Sequence, residues 1–296
     1  MQGVAIPISM VAGDSVIHRI NPLSKLAWTV GVLAISFATR NPAILGGIFV
    51  VGLLLVTLAN VWKSYLRVVM ILFPISLSLI VLQSIAPAFP RPWTAIVPLG
   101  PVTLWQEGIY SGVTLLLRIM SMTTFALVTI MTSHPSDIFT SLQKIGMPYA
   151  LNFILTMTLQ LIPILQNEFA VVLNAQKSRA MKGSGFSAIL PSMVPVFVGA
   201  IERVQQLSIS LESRAFGSKG NKTSYRQVSM TVADYIVLAA AGVATVVMLY
   251  WIIVDKSLDW ANTLVFSPTV ALVLFIGSLL GFLTFVALAL RTVLKA

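Results

Sequence analysis

The sequence PAILGGIFVVGLLLVTLANV, residues 42–61, contains no charged residue over a length that suits one membrane crossing. A transmembrane helix needs about 20 mostly apolar residues, because the hydrocarbon core is about 30 Å thick and a helix rises 1.5 Å per residue. Lys63 and Arg67 follow directly, and a second apolar stretch occupies residues 68–86. Two apolar stretches on either side of a basic cluster predict a pair of membrane-spanning helices.

Four more apolar stretches lie outward from this pair, at residues 26–39, 112–132, 233–254 and 268–290. The whole chain is 57% hydrophobic and only 9% charged, whereas a soluble domain has about 25% charged residues. We therefore predict an all-α polytopic membrane protein with about six transmembrane helices.

The distribution of charge divides the chain into three regions. Residues 1–132 hold about four spans, residues 133–232 form a more polar insert, and residues 233–296 hold about two spans. Lys and Arg collect in cytoplasmic loops, and alternation from a cytoplasmic Arg19 and Lys25 makes the insert and both termini cytoplasmic. The net charge of +10 is therefore interpreted as membrane topology, and no nucleic-acid partner is predicted.

Several kinds of chemistry lack the residues that they need. The chain has no cysteine, and its two histidines, His18 and His134, are far apart in sequence, so no metal site is predicted. A phosphate-binding loop of the Gly-x-x-x-x-Gly-Lys-Ser/Thr type does not occur. Nor does any predicted span contain an acidic residue beyond Asp234 at its edge, which disfavours ion coupling. We predict no catalytic residue and no cofactor.

The insert contains two further apolar runs, at residues 151–165 and 187–201. Fifteen helical residues rise about 22 Å, which is too short for a span. At helical spacing the apolar side chains of the second run form one stripe: Leu190, Val194, Phe197, Ile201, Val204 and Leu211. We predict a cytoplasmic region of two long amphipathic helices, with Glu202 paired to Arg203 or Arg226.

A repeat lies at the ends of these two helices: Ser178-Arg179-Ala180 and Ser213-Arg214-Ala215. Each copy precedes a glycine, Gly183 or Gly217, which suits a left-handed helix end. Arginine in a last turn can simply complement the helix dipole. Small neighbours also leave the guanidinium protruding, and its five fixed donors suit carboxylates or carbonyls of another protein. We predict that the two triplets are docking points.

With these triplets the chain resembles the transmembrane T component of energy-coupling factor transporters, the cobalt, biotin and thiamine type of importer. In that family two coupling helices each end in an Ala-Arg-Gly-like triplet, which the resemblance places at the two Ser-Arg-Ala sequences. The resemblance covers roughly residues 15–225, and it extends to three other segments: Ile17-His18-Arg19 through Asn21-Pro22 to Lys25, Arg118, and residues 132–137.

The resemblance implies a non-catalytic scaffold of a prokaryotic plasma membrane. It would join two ATP-binding cassette ATPase subunits, which bind the ATP, to a substrate-binding membrane subunit for vitamin or metal-ion uptake. By the same resemblance Arg179 and Arg214 would enter grooves on the two ATPases.

Two other functions stay open from the residues alone. A self-contained permease would use Arg118, a charge inside the fourth predicted span, to bind its substrate, and the insert would regulate it. The alternative for Arg118 is a structural bond to backbone carbonyls. A membrane enzyme acting on lipid-linked substrates is the other possibility, although no nucleophile, base or metal constellation supports it.

Overall fold

The computed structural model describes residues 13–87, 95–99, 102–178, 186–218, 220, 230–254 and 268–294. Its strands are β1 (Ala95–Leu99) and β2 (Val102–Trp105). Its helices, in chain order, are α1 (Val16–Arg19), α2 (Pro22–Ala38), α3 (Pro42–Ala59), α4 (Trp62–Ile85), α5 (Gln106–Thr132), α6 (Pro135–Gln143), α7 (Tyr149–Ser178), α8 (Phe186–Ser213), α9 (Val232–Val254) and α10 (Pro268–Leu294).

All six predicted apolar stretches are helical, as α2, α3, α4, α5, α9 and α10, so the predicted all-α polytopic membrane protein is confirmed. Among the described residues five helices are long and apolar enough to cross a membrane: α3, α4, α5, α7 and α9. Helix α2 and the stretch Thr269–Thr284 of α10 are apolar but shorter.

Helix α7 is longer than the fifteen-residue apolar run from which it was predicted, so the argument that this run is too short for a span does not hold. Its apolar run continues without a break into a helix of 30 residues, which rises about 45 Å and exceeds the thickness of the hydrocarbon core. The mean hydropathy of its most apolar 18-residue window, 1.3, is nevertheless the lowest of the five helices.

The chain divides into two compact units. Met1–His134 and Ser229–Ala296 form one unit, here called the membrane unit, and Pro135–Val228 form the other, here called the insert unit. The membrane unit therefore combines segments from both ends of the chain, and the insert unit is continuous in sequence.

Helix α5 lies at the centre of the membrane unit and packs against α2, α3 and α4. Leu127, Val128 and Met131 on α5 join the buried apolar cluster with Val56 of α3 and Tyr65 of α4. Buried hydroxyls on α5 donate to carbonyls of the preceding turn, as Thr124 does to Met120 at 2.7 Å. Such bonds satisfy hydroxyl groups inside a bundle that offers no water.

Two glycines one turn apart bring α5 against α4. A Cβ atom on Gly108 would lie 2.2 Å from the carbonyl oxygen of Gln83, and one on Gly112 would lie 2.6 Å from the Cα of Ile80. This is the Gly-x-x-x-Gly spacing by which membrane helices approach backbone to backbone. It was not predicted, although the spacing is present in the sequence.

A small antiparallel sheet interrupts the proline-rich segment between α4 and α5. Strands β1 and β2 pair with Ala95 opposite Trp105 and Leu99 opposite Val102. These strands are not evident from the sequence, because the prolines of this segment obscure the alternation expected of strands.

Candidate functional site

The predicted docking residues lie at the ends of the two long helices of the insert unit. Ser178 is the last residue of α7, and Ser213 is the last residue of α8. Arg179, Ala180 and Gly183 lie outside the described residues. The geometry of the site is therefore built on Ser178 and on the second triplet.

Helix α8 ends in two hydrogen bonds typical of a Schellman motif. The backbone N–H of Phe216 donates to the carbonyl of Leu211, and that of Ala215 donates to the carbonyl of Glu212, both at 2.9 Å. Arg214 follows the last helical residue directly, and its side chain is exposed. It forms no ion pair with any residue that the structure describes.

The left-handed residue that closes α8 is Ala215, with φ of 52°. Gly217 also has a positive φ, 92°, but it lies in the turn two residues further on. The prediction that Gly217 ends the helix was therefore displaced by two residues. An alanine in this conformation has its Cβ close to a carbonyl oxygen, at a cost of about 1–2 kcal/mol.

Phe216 fixes this helix end against α7. Its ring lies 4.6 Å from the ring of Phe153 and 5.6 Å from that of Tyr149, measured between centroids. Aromatic pairs at such distances contribute about 0.5–1.5 kcal/mol beyond the area that they bury. Arg214 is thus presented from a turn that is held on both sides, by the Schellman bonds and by Phe216.

The serine of each triplet plays the same local role. The hydroxyl of Ser178 donates to the carbonyl of Asn174 at 3.0 Å, and that of Ser213 donates to the carbonyl of Ser210 at 2.9 Å. Carbonyls near the C-terminal end of a helix can lack an N–H donor from a following turn, and side-chain hydroxyls such as these can then bond to them. The repeated serine therefore reinforces the last turn in both copies.

Helices α7 and α8 run antiparallel. Phe153 of α7 contacts Phe216, three residues after the end of α8. Fifteen residues later along α7, Glu168 pairs with Arg203, which lies thirteen residues before Phe216. Ser178 lies ten residues beyond Glu168, and Ser213 lies ten residues beyond Arg203 in the opposite direction. At 1.5 Å per residue the two helix ends are about 30 Å apart.

The ion pair between Glu168 and Arg203 lies midway between these ends, where about a third of each side chain is exposed. It replaces the predicted pairing of Arg203 with Glu202, because residue 203 faces α7. A pair this exposed contributes about 1 kcal/mol or less. Its main effect is to fix the register of the two helices.

The apolar stripe predicted for α8 does not pack against α7. Val194, Phe197, Ile201 and Val204 are 58–64% exposed, whereas Val196 and Gly199 line a 380 Å³ groove between the two helices. Helix α8 therefore carries apolar residues on more than one side. Among the described residues, the predicted stripe is exposed at these four positions.

Arg118 lies in the membrane unit, in the middle of α5. Its Nη2 donates to the carbonyl oxygen of Thr39, the residue that follows α2, at 2.7 Å. This is a bond to a backbone carbonyl, as the structural alternative for Arg118 expects. The guanidinium thereby satisfies a free carbonyl at the end of a helix, where a positive charge is favourable.

A sequence profile of the family CbiQ, described as cobalt transport protein, matches residues 13–225. The chain belongs to this family. The match includes both Ser-Arg-Ala triplets, Arg118 and Lys25, and it ends before α9. The resemblance drawn from the sequence is confirmed over almost the same residues.

Bacterial relatives extend the similarity over most of the chain, and each is named energy-coupling factor transporter transmembrane protein EcfT. The protein of Listeria innocua serovar 6a is 26% identical over 82% of this chain and 96% of its own length. That of Lactococcus lactis subsp. cremoris is 26% identical over 81% and 95%. That of Leuconostoc gelidum subsp. gasicomitatum is 28% identical over 78% and 90%.

The backbone at Ala215 gives a physical reason for the Ala-Arg-Gly-like triplet of this family. The residue after the arginine has a positive φ here, and glycine adopts that conformation without the steric cost of a Cβ. The chain keeps alanine at this position, so its helix end is strained.

Replacing Ala215 by Gly is expected to stabilise the end of α8 by about 1 kcal/mol. This corresponds to roughly five-fold slower hydrogen exchange at the amides of residues 215 and 216, measured by mass spectrometry. Ala200→Gly is the matched control, because Ala200 lies inside α8 and glycine there costs about 1 kcal/mol. Faster exchange at residues 215 and 216 in the Ala215→Gly variant contradicts the assignment of strain.

Proposed function

We propose that this chain is the transmembrane coupling subunit of an energy-coupling factor importer of the ATP-binding cassette type. It joins two ATPase subunits to a substrate-binding membrane subunit, and it transmits the motion of the ATPases to that subunit. Membership of the CbiQ family and the names of the bacterial relatives support this assignment.

The observation that carries the proposal is the display of Arg214 on a rigid helix end. The Schellman bonds and Phe216 hold the turn, and the exposed guanidinium projects from it. The second triplet begins at Ser178, the last residue of α7, and the ends of the two antiparallel helices are about 30 Å apart. Two such triplets, one for each end of the helix pair, suit two similar partners.

The third partner is proposed to cover the exposed apolar stripe of α8. Val194, Phe197, Ile201 and Val204 present a continuous apolar surface, which in a functional protein marks an interaction site. A substrate-binding membrane subunit is itself apolar and would cover this stripe. The substrate, a vitamin or a metal ion, would then be selected by that subunit and not by this chain.

The remaining assignments belong to the same proposal. The chain lacks a phosphate-binding loop, so the ATPase subunits would bind and hydrolyse the ATP, and this chain would need no cofactor. Its place would be the plasma membrane of a prokaryote, with both termini and the insert cytoplasmic, because that arrangement puts each basic cluster inside.

Co-purification tests the proposal directly. A tagged chain expressed with its chromosomal neighbours is expected to retain two ATPase subunits and one small membrane protein. In proteoliposomes that complex should take up one of Co²⁺, biotin or thiamine only when ATP is present. Absence of ATPase subunits from an intact, monodisperse preparation would contradict the proposal.

The chain reconstituted alone is the control that addresses the permease alternative. No uptake of these three substrates is expected, because Arg118 is already bonded to the carbonyl of Thr39. ATP-independent flux that disappears in an Arg118→Met variant would favour the self-contained permease.

A further inference from the structure

The first turn of α2 is buried and polar, which is unusual in a membrane bundle. Ser24 and Lys25 are fully buried, and Asn21, which caps the helix, is 4% exposed. These three residues are here called the α2 clamp. From the sequence, Lys25 marks topology and belongs to the family resemblance, and its burial requires a further role.

Lys25 holds the end of α5. Its Nζ donates to the carbonyl oxygen of Thr132 at 2.9 Å and to the hydroxyl of Ser133 at 3.2 Å. Arg118 of α5 makes the corresponding bond to Thr39 at the far end of α2. Each of these two antiparallel helices thus has its C-terminal carbonyl bound by a cation from the other.

Asp234 holds the start of α9 to the same turn. Its carboxylate accepts from the backbone N–H of Asn21 at 2.7 Å, and Ser24 donates its hydroxyl to the backbone carbonyl of Asp234 at 2.9 Å. The carboxylate also accepts from the N–H and the hydroxyl of Thr231, at 2.8 and 2.7 Å. The bond from the N–H of Thr231 is one half of a capping box at the start of α9.

The two segments that the clamp holds are the two points where the chain passes between its units. The chain leaves the membrane unit after His134 and returns to it at Ser229. Lys25 binds residues 132 and 133, just before the exit, and the clamp binds Asp234 just after the return. One helical turn is therefore bonded, within the membrane unit, to the segment that leads into the insert unit and to the segment that follows it.

We propose that Lys25 and Asp234 are positioning residues that tie the membrane-unit segments on either side of the insert to α2, so that displacement of the insert moves the membrane helices. The inference rests on the proposed coupling function. Without these bonds the segments at residues 132–134 and 231–234 could rotate and absorb the displacement. Hydrogen bonds to buried charges resist such rotation, because opening one leaves a charge without a partner in a medium of low dielectric constant.

Two variants test the role of the charges in the complete importer reconstituted in proteoliposomes. Lys25→Met and Asp234→Asn keep the size of the side chain and remove its charge. Both are expected to retain ATP hydrolysis within about two-fold of wild type while substrate uptake per ATP falls at least ten-fold. Uptake per ATP within two-fold of wild type in assembled complexes of both variants would overturn the proposal.

If either charge variant fails to assemble, two double variants with smaller changes test whether the clamp is needed for uptake. Ser24→Ala with Ser133→Ala removes one hydroxyl at each crossing. Ser36→Ala with Ser76→Ala is the matched control: both serines are buried, Ser36 has no hydrogen-bond partner among the described residues, and Ser76 bonds only within α4. We expect a three-fold or larger loss of uptake per ATP for the first pair alone. Equal values for both pairs would overturn the proposal.

The clamp can also be examined without any partner, which separates its failure from failure of the proposed function. In the purified chain, Ser24→Ala with Ser133→Ala should accelerate hydrogen exchange several-fold at residues 132–134 and at residues 231–235. The control pair should leave these amides unchanged. If the exchange result holds but the wild-type complex shows no ATP-driven uptake, the coupling function is wrong. Unchanged exchange would show that the clamp does not hold these segments.

Discussion

Replacing Arg179 and Arg214 together by alanine is expected to remove the ATPase subunits from the purified complex and to abolish ATP-driven uptake. Each arginine is proposed to occupy a groove on its own ATPase. Truncation of such an anchor costs about 2 kcal/mol or more, because it leaves buried acceptors of the partner unpaired. Loss of both arginines should weaken assembly of the chain with both ATPase subunits by about a thousand-fold.

The single variants refine this expectation. The two helix ends are about 30 Å apart, and substitutions at such separation add with little coupling. Arg179→Ala and Arg214→Ala should therefore each weaken assembly about 30-fold, and their effects on the free energy of assembly should sum in the double variant. Arg214→Lys should recover little, because lysine lacks the planar array of donors.

A charge-matched control is available in the membrane unit. Arg19 and Arg67 are exposed, and replacing both by alanine removes the same charge from outside the insert. That variant should keep its ATPase subunits. If the Arg179→Ala, Arg214→Ala variant also keeps them in full amount and transports normally, the triplets are not the docking points.

Replacing Gly108 and Gly112 together by alanine is expected to lower the stability of the membrane unit strongly. The added methyl groups would lie 2.2 Å from the oxygen of Gln83 and 2.6 Å from the Cα of Ile80, so α4 and α5 must separate. Overpacking costs about 1–3 kcal/mol at each site, against a gain of up to about 1 kcal/mol in helix propensity. The midpoint of thermal unfolding in detergent should fall by about 5 °C or more.

Gly47→Ala provides the control of opposite sign. Gly47 is also within a membrane helix, α3, but no atom lies within 4 Å of an added Cβ. The helix propensity term then acts alone, and the midpoint should stay constant or rise slightly. A fall of similar size in both variants would mean that the effect is not the contact between α4 and α5.

The apolar segments were predictable because hydrophobic length and charge are properties of each segment alone. All six predicted stretches formed helices, and the two amphipathic runs became α7 and α8. The repeat at Arg179 and Arg214 and the resemblance that it carries also came from local sequence. The predicted end of the first amphipathic helix, at the Ser178 triplet, is also where α7 ends.

Contacts between segments that are far apart in sequence were not predicted. The bonds from Lys25 to Thr132 and from Asn21 to Asp234 join residues more than 100 positions apart, and no local pattern specifies them. Ala215 was missed as the helix-closing residue because a glycine two positions later offered the more usual conformation. The face of α8 that packs against α7 was not predicted, because apolar residues occupy several sides of this helix and periodicity alone does not select one.

The exposed stripe of α8 affects how long a chain without partners survives in the cell. Val194, Phe197, Ile201 and Val204 remain exposed when the chain has folded by itself, and such surface attracts chaperones, aggregation and proteolysis. A chain made in excess of its partners would be degraded, while one that has found them would persist. The amount of this subunit would then follow the synthesis of the protein that covers α8, even if its own gene were expressed at a constant level.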